Sequence, residues 1–169
     1  MLLRVVAGKS RWSYLKLPDG FSLRAGDLSD LPAVYQLNRQ AFDSCWSEQS
    51  LYSALESGYD LILCESAGEL AGYLLSLTIL DETQIMQIAV DKRFLRRGLA
   101  VAMSQRLIDS HPAVLLLEVR LSNVAARRLY KKLGFVESGY RKNYYAADAS
   151  GFSEDAVLMQ LQAEPKGER

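Results

Sequence analysis

One histidine, His111, and two cysteines, Cys45 and Cys64, are all the imidazole and thiol that 169 residues provide. A structural zinc site takes about four ligands, and the two cysteines have neither CxxC spacing nor histidines beside them. No metal is expected, and the cysteines read as free thiols of a reducing compartment. An excess of charge is also missing: Lys+Arg and Asp+Glu both number 20, for a formal net charge of zero. Proteins that live on nucleic acid or an anionic membrane usually carry a basic excess. Neither partner is therefore expected, although a local patch stays open. Long apolar runs are absent too. The opening MLLRVVAGKSRWSYLKLPDG holds no stretch able to serve as a signal peptide or membrane span, so the expected location is cytoplasmic. Repeats, low-complexity tracts and interdomain linkers are lacking as well.

What is present is the composition of a globular domain, 49% hydrophobic and 24% charged, in a chain of one-domain length. Residues 1–20 end in the turn signal Pro18-Asp19-Gly20 and form an extension or an extra strand. Phe21 to Arg24 alternates as a short strand. Ser29-Asp30-Leu31-Pro32 offers a helix cap, with apolar residues from Leu31 to Phe42 at helical spacing. Ser47 caps a second helix reaching about Glu56. Leu61 to Cys64, Leu70 to Leu80 and Gln84 to Val90 then read as a three-stranded antiparallel meander, with turns at Ala67-Gly68-Glu69 and Asp81-Glu82. A helix follows from Gly98 to about Ser110, ended by His111-Pro112, where His111 reads as a C-terminal cap. Ala113 to Val119 is an apolar strand. Ser122 caps a last helix with Val124, Leu129 and Leu133 inward, closed by Gly134. Phe135 to Arg141 and Asp155 to Leu161 complete a mixed α/β (α+β) domain over residues 21–161, with a tail at 162–169.

Three segments carry chemistry. In Ile88-Ala89-Val90-Asp91-Lys92-Arg93-Phe94-Leu95-Arg96-Arg97-Gly98-Leu99-Ala100 a buried strand enters a basic loop, and small residues open a helix. A helix N-terminus carries unpaired N–H groups and partial positive charge, so it suits an anion. Gly98 and Ala100 would let a pyrophosphate reach the backbone, with Arg96 and Arg97 adding charge. An ordinary strand–loop–helix with solvated arginines fits the same residues. The second segment sets Glu118 in an otherwise apolar strand, a costly place for a carboxylate unless it is used or paired with Arg120 or another cation. In the third, Tyr130 follows Asn123 by two helical turns, on about the same face. A lone helical tyrosine is equally a core residue.

Together these segments resemble the GNAT superfamily of N-acetyltransferases. Leu95 to Ala100 is similar to the R/Q-x-x-G-x-G/A pyrophosphate loop, and Asn123 to Phe135 to N-x-x-A-x-x-L-Y-x-x-L-G-F. Cys45-Trp46-Ser47-Glu48, Gln87 to Asp91, Leu117 to Arg120, Arg141 to Tyr145 and Glu154-Asp155-Ala156 look most like the bacterial RimI type, the ribosomal-protein alanine N-acetyltransferases. The resemblance runs in order from residue 21 to 161. Leu95 departs from the pattern, which has Gln or Arg there and gains a side-chain contact from it.

The resemblance implies a single GNAT-type domain with a mixed sheet of about seven strands and about four flanking helices. It implies acetyl-CoA as co-substrate, Glu118 as general base and Tyr130 as the acid for the departing thiolate. Ile88, Ala89 and Val90 would line the acetyl and pantetheine arm. Arg96, Arg97, Gly98, Leu99, Ala100 and Val101 would cradle the pyrophosphate, and Asn123 would hold the pantetheine or position its helix. The acceptor implied is the N-terminal alanine of a small-subunit ribosomal protein. Trp46, Tyr144 and Tyr145 form a slot for it or simply pack, and Glu48, Glu137 and Asp155 are candidate partners for basic acceptor residues. A lysine, a small amine, and a non-catalytic CoA-binding module are the competing assignments. Cys64 as an acyl carrier lacks a histidine partner.

Overall fold

The structure is a computed structural model and describes residues 17–110, 113–146 and 153–162. His111-Pro112, most of the N-terminal extension and residues 163–169 of the tail lie outside the described residues. The elements run β1 (Phe21–Ala25), α1 (Leu31–Ala41), α2 (Glu48–Glu56), β2 (Asp60–Ser66), β3 (Glu69–Ile79) and β4 (Glu82–Val90). They continue with α3 (Leu99–Ser110), β5 (Val114–Arg120), α4 (Val124–Lys132), β6 (Val136–Tyr145) and β7 (Glu154–Gln162). All seven strands form one sheet in the order β1-β2-β3-β4-β5-β7-β6. Every pairing is antiparallel except β4 with β5, which the α3 crossover makes parallel. The expected mixed sheet and flanking helices are there.

Alternation along the strands sends two sets of side chains to opposite faces. On one face Leu99, Met103 and Leu107 of α3 and Tyr130 and Leu133 of α4 pack on Leu74, Ile85, Leu117, Val119, Val157 and Met159. The three α3 side chains are at most 1% exposed, and burial of each contributes roughly 1.5–3 kcal/mol. On the other face α1 and α2 set Leu31, Val34, Leu37 and Leu51 on Leu61, Leu63, Tyr73, Leu75 and Ala89. Close approach of α3 depends on Gly72 of β3. A Cβ there would stand 2.8 Å from the Ala89 carbonyl oxygen and 3.1 Å from Met103 Cε.

Several local expectations shift by a residue or so, each for a visible reason. Ser47 caps α2 as expected, accepting from the Ser50 N–H at 3.0 Å. Ser29, by contrast, lies inside a single 3-10 turn capped by Asp27, and α1 begins only at Leu31. At α4 the cap is Asn123 rather than Ser122: its Oδ1 accepts the Ala126 N–H at 3.1 Å. Val124, in that first turn, is 48% exposed instead of inward. The β2–β3 turn is Ala67-Gly68, both at positive φ as a two-residue hairpin requires. The next turn is Leu80-Asp81, one residue earlier than expected, with Leu80 itself at φ +56°. Gly134, at φ +98°, ends α4 as expected.

Candidate active site

The sheet opens where the two central strands meet. β4 pairs with β5 only from Glu82 with Val114 to Ile85 with Leu117. Beyond that point β4 continues to Val90 and β5 to Arg120 without pairing to each other, leaving a wedge between them. A bulge sets its apex. Across from β3, Leu75 faces Gln87 and Ser76 faces Ile85, so Met86 is the extra residue. Ile88, Ala89 and Val90 lie on β4 past this bulge, still paired to β3 on the far side, with their other edge toward the wedge. Backbone groups on such an edge need a partner from elsewhere. Gln87 is held by Tyr73, whose buried hydroxyl donates to its Oε1 at 2.9 Å.

The basic loop follows directly. Asp91 ties it back to β3 through its N–H to the Ala71 oxygen (2.9 Å) and caps the turn Lys92–Phe94 by accepting the Arg93 N–H. Arg93 is held by Asp91 and Glu69, both at 2.9 Å. Arg97 lies over the rings of Phe21 and Phe94, 6.0 and 5.6 Å from their centroids, and these rings meet edge-on at 5.4 Å. It therefore anchors the loop to β1. Arg96 is at φ +62° and forms no ion pair among the described residues. Gly98, at φ +81°, has no atom within 4 Å of a would-be Cβ, so the backbone at the start of α3 is open to an incoming group. Leu99 buries its side chain in the core (1% exposed) and offers this end only its backbone, while Ala100 and Val101 are half-buried. Leu95 is 53% exposed and cannot supply the hydrogen bond that Gln or Arg would.

At the mouth of the wedge stands Glu118. Leu117 and Val119 face the α3–α4 core, so Glu118 between them points to the opposite face. Its carboxylate, with only 13% of the side chain exposed, pairs with Nη1 of Arg141 at 3.1 Å. Arg120 is not its partner; that side chain pairs with Glu154 at 3.1 Å and lies 4.2 Å over the Tyr145 ring. The Tyr144 hydroxyl lies within reach of the Glu118 carboxylate, and this interaction, with partial burial, raises its phenol above the ordinary value. Tyr145 is raised first by burial and then by the Glu118 charge, and its ring meets Tyr144 edge-on at 5.2 Å.

Tyr130 comes from the other face. It is 5% exposed and packs edge-on against Phe135 at 5.7 Å. Burial pushes its phenol far above the usual range, with Tyr145 adding to the effect, so it stays protonated across physiological pH. Tyr145 is thus in electrostatic reach of both Glu118 and Tyr130. Asn123 spends its Oδ1 on the α4 cap.

The remaining candidates separate. Trp46 packs edge-on against Tyr59 at 6.3 Å, in the α1–α2 cluster, with its carbonyl accepting from Asn38 at 3.0 Å. Tyr144 and Tyr145 face Glu118 instead. Glu137 is taken: Arg127 at 2.8 Å, Lys131 at 2.9 Å and Tyr140 at 3.1 Å surround it and hold its carboxyl down at about 2. Asp155 accepts the Asn143 N–H at 2.8 Å, and Glu48 is exposed in the first turn of α2. Cys64 is fully buried in the core, and burial pushes its thiol up to about 11, unsuited to an acyl carrier. Among the described residues no three His, Cys, Asp or Glu side chains gather as metal ligands. The sequence reading missed Arg141 as a partner of Glu118, and the Met86 bulge. The first lay inside a recognised segment; the second has no local signal.

Comparison with known proteins identifies the family and the fold. The profile of the Acetyltransferase (GNAT) family matches residues 31–135. The [ribosomal protein bS18]-alanine N-acetyltransferase of Escherichia coli K12 is 37% identical over 139 residues, 80% of this chain and 93% of that one. The enzyme of the same name from Salmonella typhimurium is 38% identical over 137 residues, 79% and 91% of the two chains. The crystal structure of the E. coli ribosomal-protein-S18-alanine N-acetyltransferase superposes with a TM-score of 0.82 at 36% identity, covering 88% of this chain and 97% of its own. Ard1 from Thermoplasma volcanium shares the fold, with a TM-score of 0.76 at 24% identity over 85% and 98% of the chains. The chain belongs to the acetyltransferase (GNAT) family, enzymes whose acetyl donor is acetyl-CoA.

Proposed function

We propose that the chain acetylates a protein N-terminus, the N-terminal alanine of ribosomal protein bS18, by direct transfer from acetyl-CoA in the cytoplasm, and that residues 21–161 form the catalytic domain. The observation that carries the mechanism is the β4–β5 wedge, with Glu118 entering from one face and Tyr130 from the other. The acceptor follows from 37% identity across 93% of a relative named for that substrate.

In this reading the thioester arm lies along the unpaired edge of Ile88, Ala89 and Val90, where strand-like hydrogen bonds are available to an extended amide chain. The pyrophosphate meets the N–H groups of Gly98 to Val101 at the start of α3, with Arg96, in no ion pair among the described residues, beside it. Arg97 serves by fixing the loop against Phe21 and Phe94. Glu118 takes the acceptor proton, directly or through water, and Tyr130 gives one to the departing thiolate. A protein N-terminus suits a single carboxylate. With an α-amine pKa near 8 and lysine near 10.4, freeing the nucleophile at pH 7 costs about 1.4 kcal/mol for the former and about 4.6 for the latter. Tyr144 and Tyr145, grouped at Glu118, are the proposed walls for the first acceptor residue; Trp46 belongs to the α1–α2 wall.

The test is acetyl-CoA consumption with a short peptide beginning Ala-Arg and with the same peptide blocked at its N-terminus. Turnover that vanishes on blocking supports the α-amine. Turnover that survives on a blocked, lysine-containing peptide moves the acceptor to side chains and overturns the proposal.

A further inference from the structure

Glu118 is paired with a cation from its own chain, and the contact has an unusual source. Arg141 and Tyr144 both reach its carboxylate, although they are three residues apart on β6. In a regular strand such residues face opposite sides. The β6–β7 register shows how this is avoided. Arg141 faces Ala156 and Tyr145 faces Glu154, so Lys142, Asn143 and Tyr144 together oppose Asp155. Asn143 takes φ +52°, its N–H donates to Asp155 Oδ1 at 2.8 Å, and its Oδ1 accepts from Ser153 at 2.7 Å. The two extra residues and the left-handed turn at Asn143 interrupt the alternation locally, so Tyr144 joins Arg141 at one carboxylate.

The two partners differ in kind. Tyr144 brings a neutral hydroxyl. Arg141 brings a full charge, is 54% exposed, and also rests against an aromatic ring: its guanidinium lies 5.2 Å from the centroid of Tyr144. The acceptor also arrives as a cation, since an α-amine with a pKa near 8 is mostly ammonium at neutral pH.

We propose that Arg141 is a displaceable guard on Glu118, holding in the empty enzyme the place that the acceptor's ammonium takes, so that acceptor binding exchanges one cation for another at the same carboxylate. The inference rests on the reading of Glu118 as the group the acceptor meets. The exchange keeps a largely buried carboxylate compensated at every stage, which matters because such a charge left alone is costly. It also lowers acceptor affinity, because only molecules with the guard displaced can bind. If the pair is closed in about 70–90% of molecules, a range suited to a partly exposed ion pair, affinity falls by about threefold to tenfold. Other charged and titratable groups near Glu118 are differently engaged. Tyr145 lies beneath Arg120, which is itself held by Glu154, and Tyr130 faces the core.

The test is calorimetric binding of an Ala-Arg peptide to the full chain saturated with CoA, so that no turnover intervenes. Arg141→Gln should tighten the peptide Kd by about threefold to tenfold, and Arg141→Lys, which keeps the cation, should restore the wild-type value. Melting curves establish that both variants fold. An unchanged or weaker Kd in Arg141→Gln would overturn the guard and leave Arg141 an aiming residue or a plain surface pair. In a Glu118→Gln background the added Arg141→Gln should no longer tighten binding; continued tightening would mean that Arg141 acts elsewhere, and would also overturn it. Turnover of Glu118→Gln is measured separately. Wild-type turnover there would sink the base assignment on its own, a failure distinct from any result of the binding series.

Discussion

Replacing Tyr130 by phenylalanine removes one oxygen atom and little else. The ring is 5% exposed and keeps its edge-on contact with Phe135 at 5.7 Å. Its hydroxyl makes no hydrogen bond to another described residue, so no described partner is orphaned by the change. Stability should therefore stay within about 1 kcal/mol of the wild type, since the expensive consequence of deleting a hydroxyl is the unpaired group left behind. Turnover should behave differently. A positioned general acid contributes roughly 10²–10⁴-fold, or about 2.7–5.4 kcal/mol at 1.36 kcal/mol per tenfold. The expected signature is thus a kcat loss of at least about a hundredfold, an acetyl-CoA Kd close to wild type, and a nearly unmoved melting temperature.

The pH profile sharpens this. Because burial holds the Tyr130 phenol far above its ordinary value, the acid is fully protonated throughout a working range of about pH 6 to 9. The ratio of wild-type to variant kcat should then be flat across that range. Steady-state kinetics at saturating acetyl-CoA and peptide, with calorimetry for donor binding, supply all three quantities. A kcat within threefold of wild type would refute the reasoning and return Tyr130 to the core. A ratio that shrinks toward one at alkaline pH would mean that the phenol ionises there, contrary to the effect of its burial.

Two further outcomes follow from α4 and its neighbours. Asn123→Ala removes the Oδ1 acceptor of the Ala126 N–H and should cost about 1 kcal/mol, read as a melting temperature lower by a few degrees, whereas Asn123→Asp keeps the cap and most of the stability. Glu137→Gln breaks the tie of β6 to Arg127 and Lys131 and should lower the melting temperature at neutral pH. The folded carboxyl is held at about 2, below its ordinary value, so its contribution is present above the ordinary carboxylate range and lost as pH falls toward 2. Wild-type stability should therefore fall more steeply than that of the variant on acid titration, and parallel curves would refute the assignment.

Elements whose cause is local were legible in the sequence. Ser47 announces α2, Ala67-Gly68 the hairpin, and the change from apolar β4 to Gly98 the start of α3. Choices between equivalent residues were not. Ser122 and Asn123 are both good caps, and only the packed position of α4 selects the second. Leu80 enters the left-handed region against its own preference because the register of β3 and β4 puts the turn there. At the site, motif residues were legible as types, but their partners were not. Glu137 looked available to a basic acceptor until α4 set Arg127 and Lys131 on it. Arg120, two residues on and on the same face of β5, looked like the partner of Glu118, yet Glu154 holds it, and the cation that reaches Glu118 comes from β6.

The same parity rule explains why the sheet has to open. β5 sends Leu117 and Val119 to the α3–α4 core and Glu118 to the other face, whereas Tyr130 belongs to that core. A continuous β4–β5 ladder would stand between the proposed base and the proposed acid, and no single reacting centre could meet both. The ladder stops at Ile85 and Leu117, one residue before Glu118 and before the extra residue Met86. The opening thus begins at the level of the carboxylate, and a thioester lying in it is accessible to an amine from one face and to a phenol from the other. The β3–β4 bulge falls at the same level, where β4 and β5 part, and so belongs to the proposed reaction site.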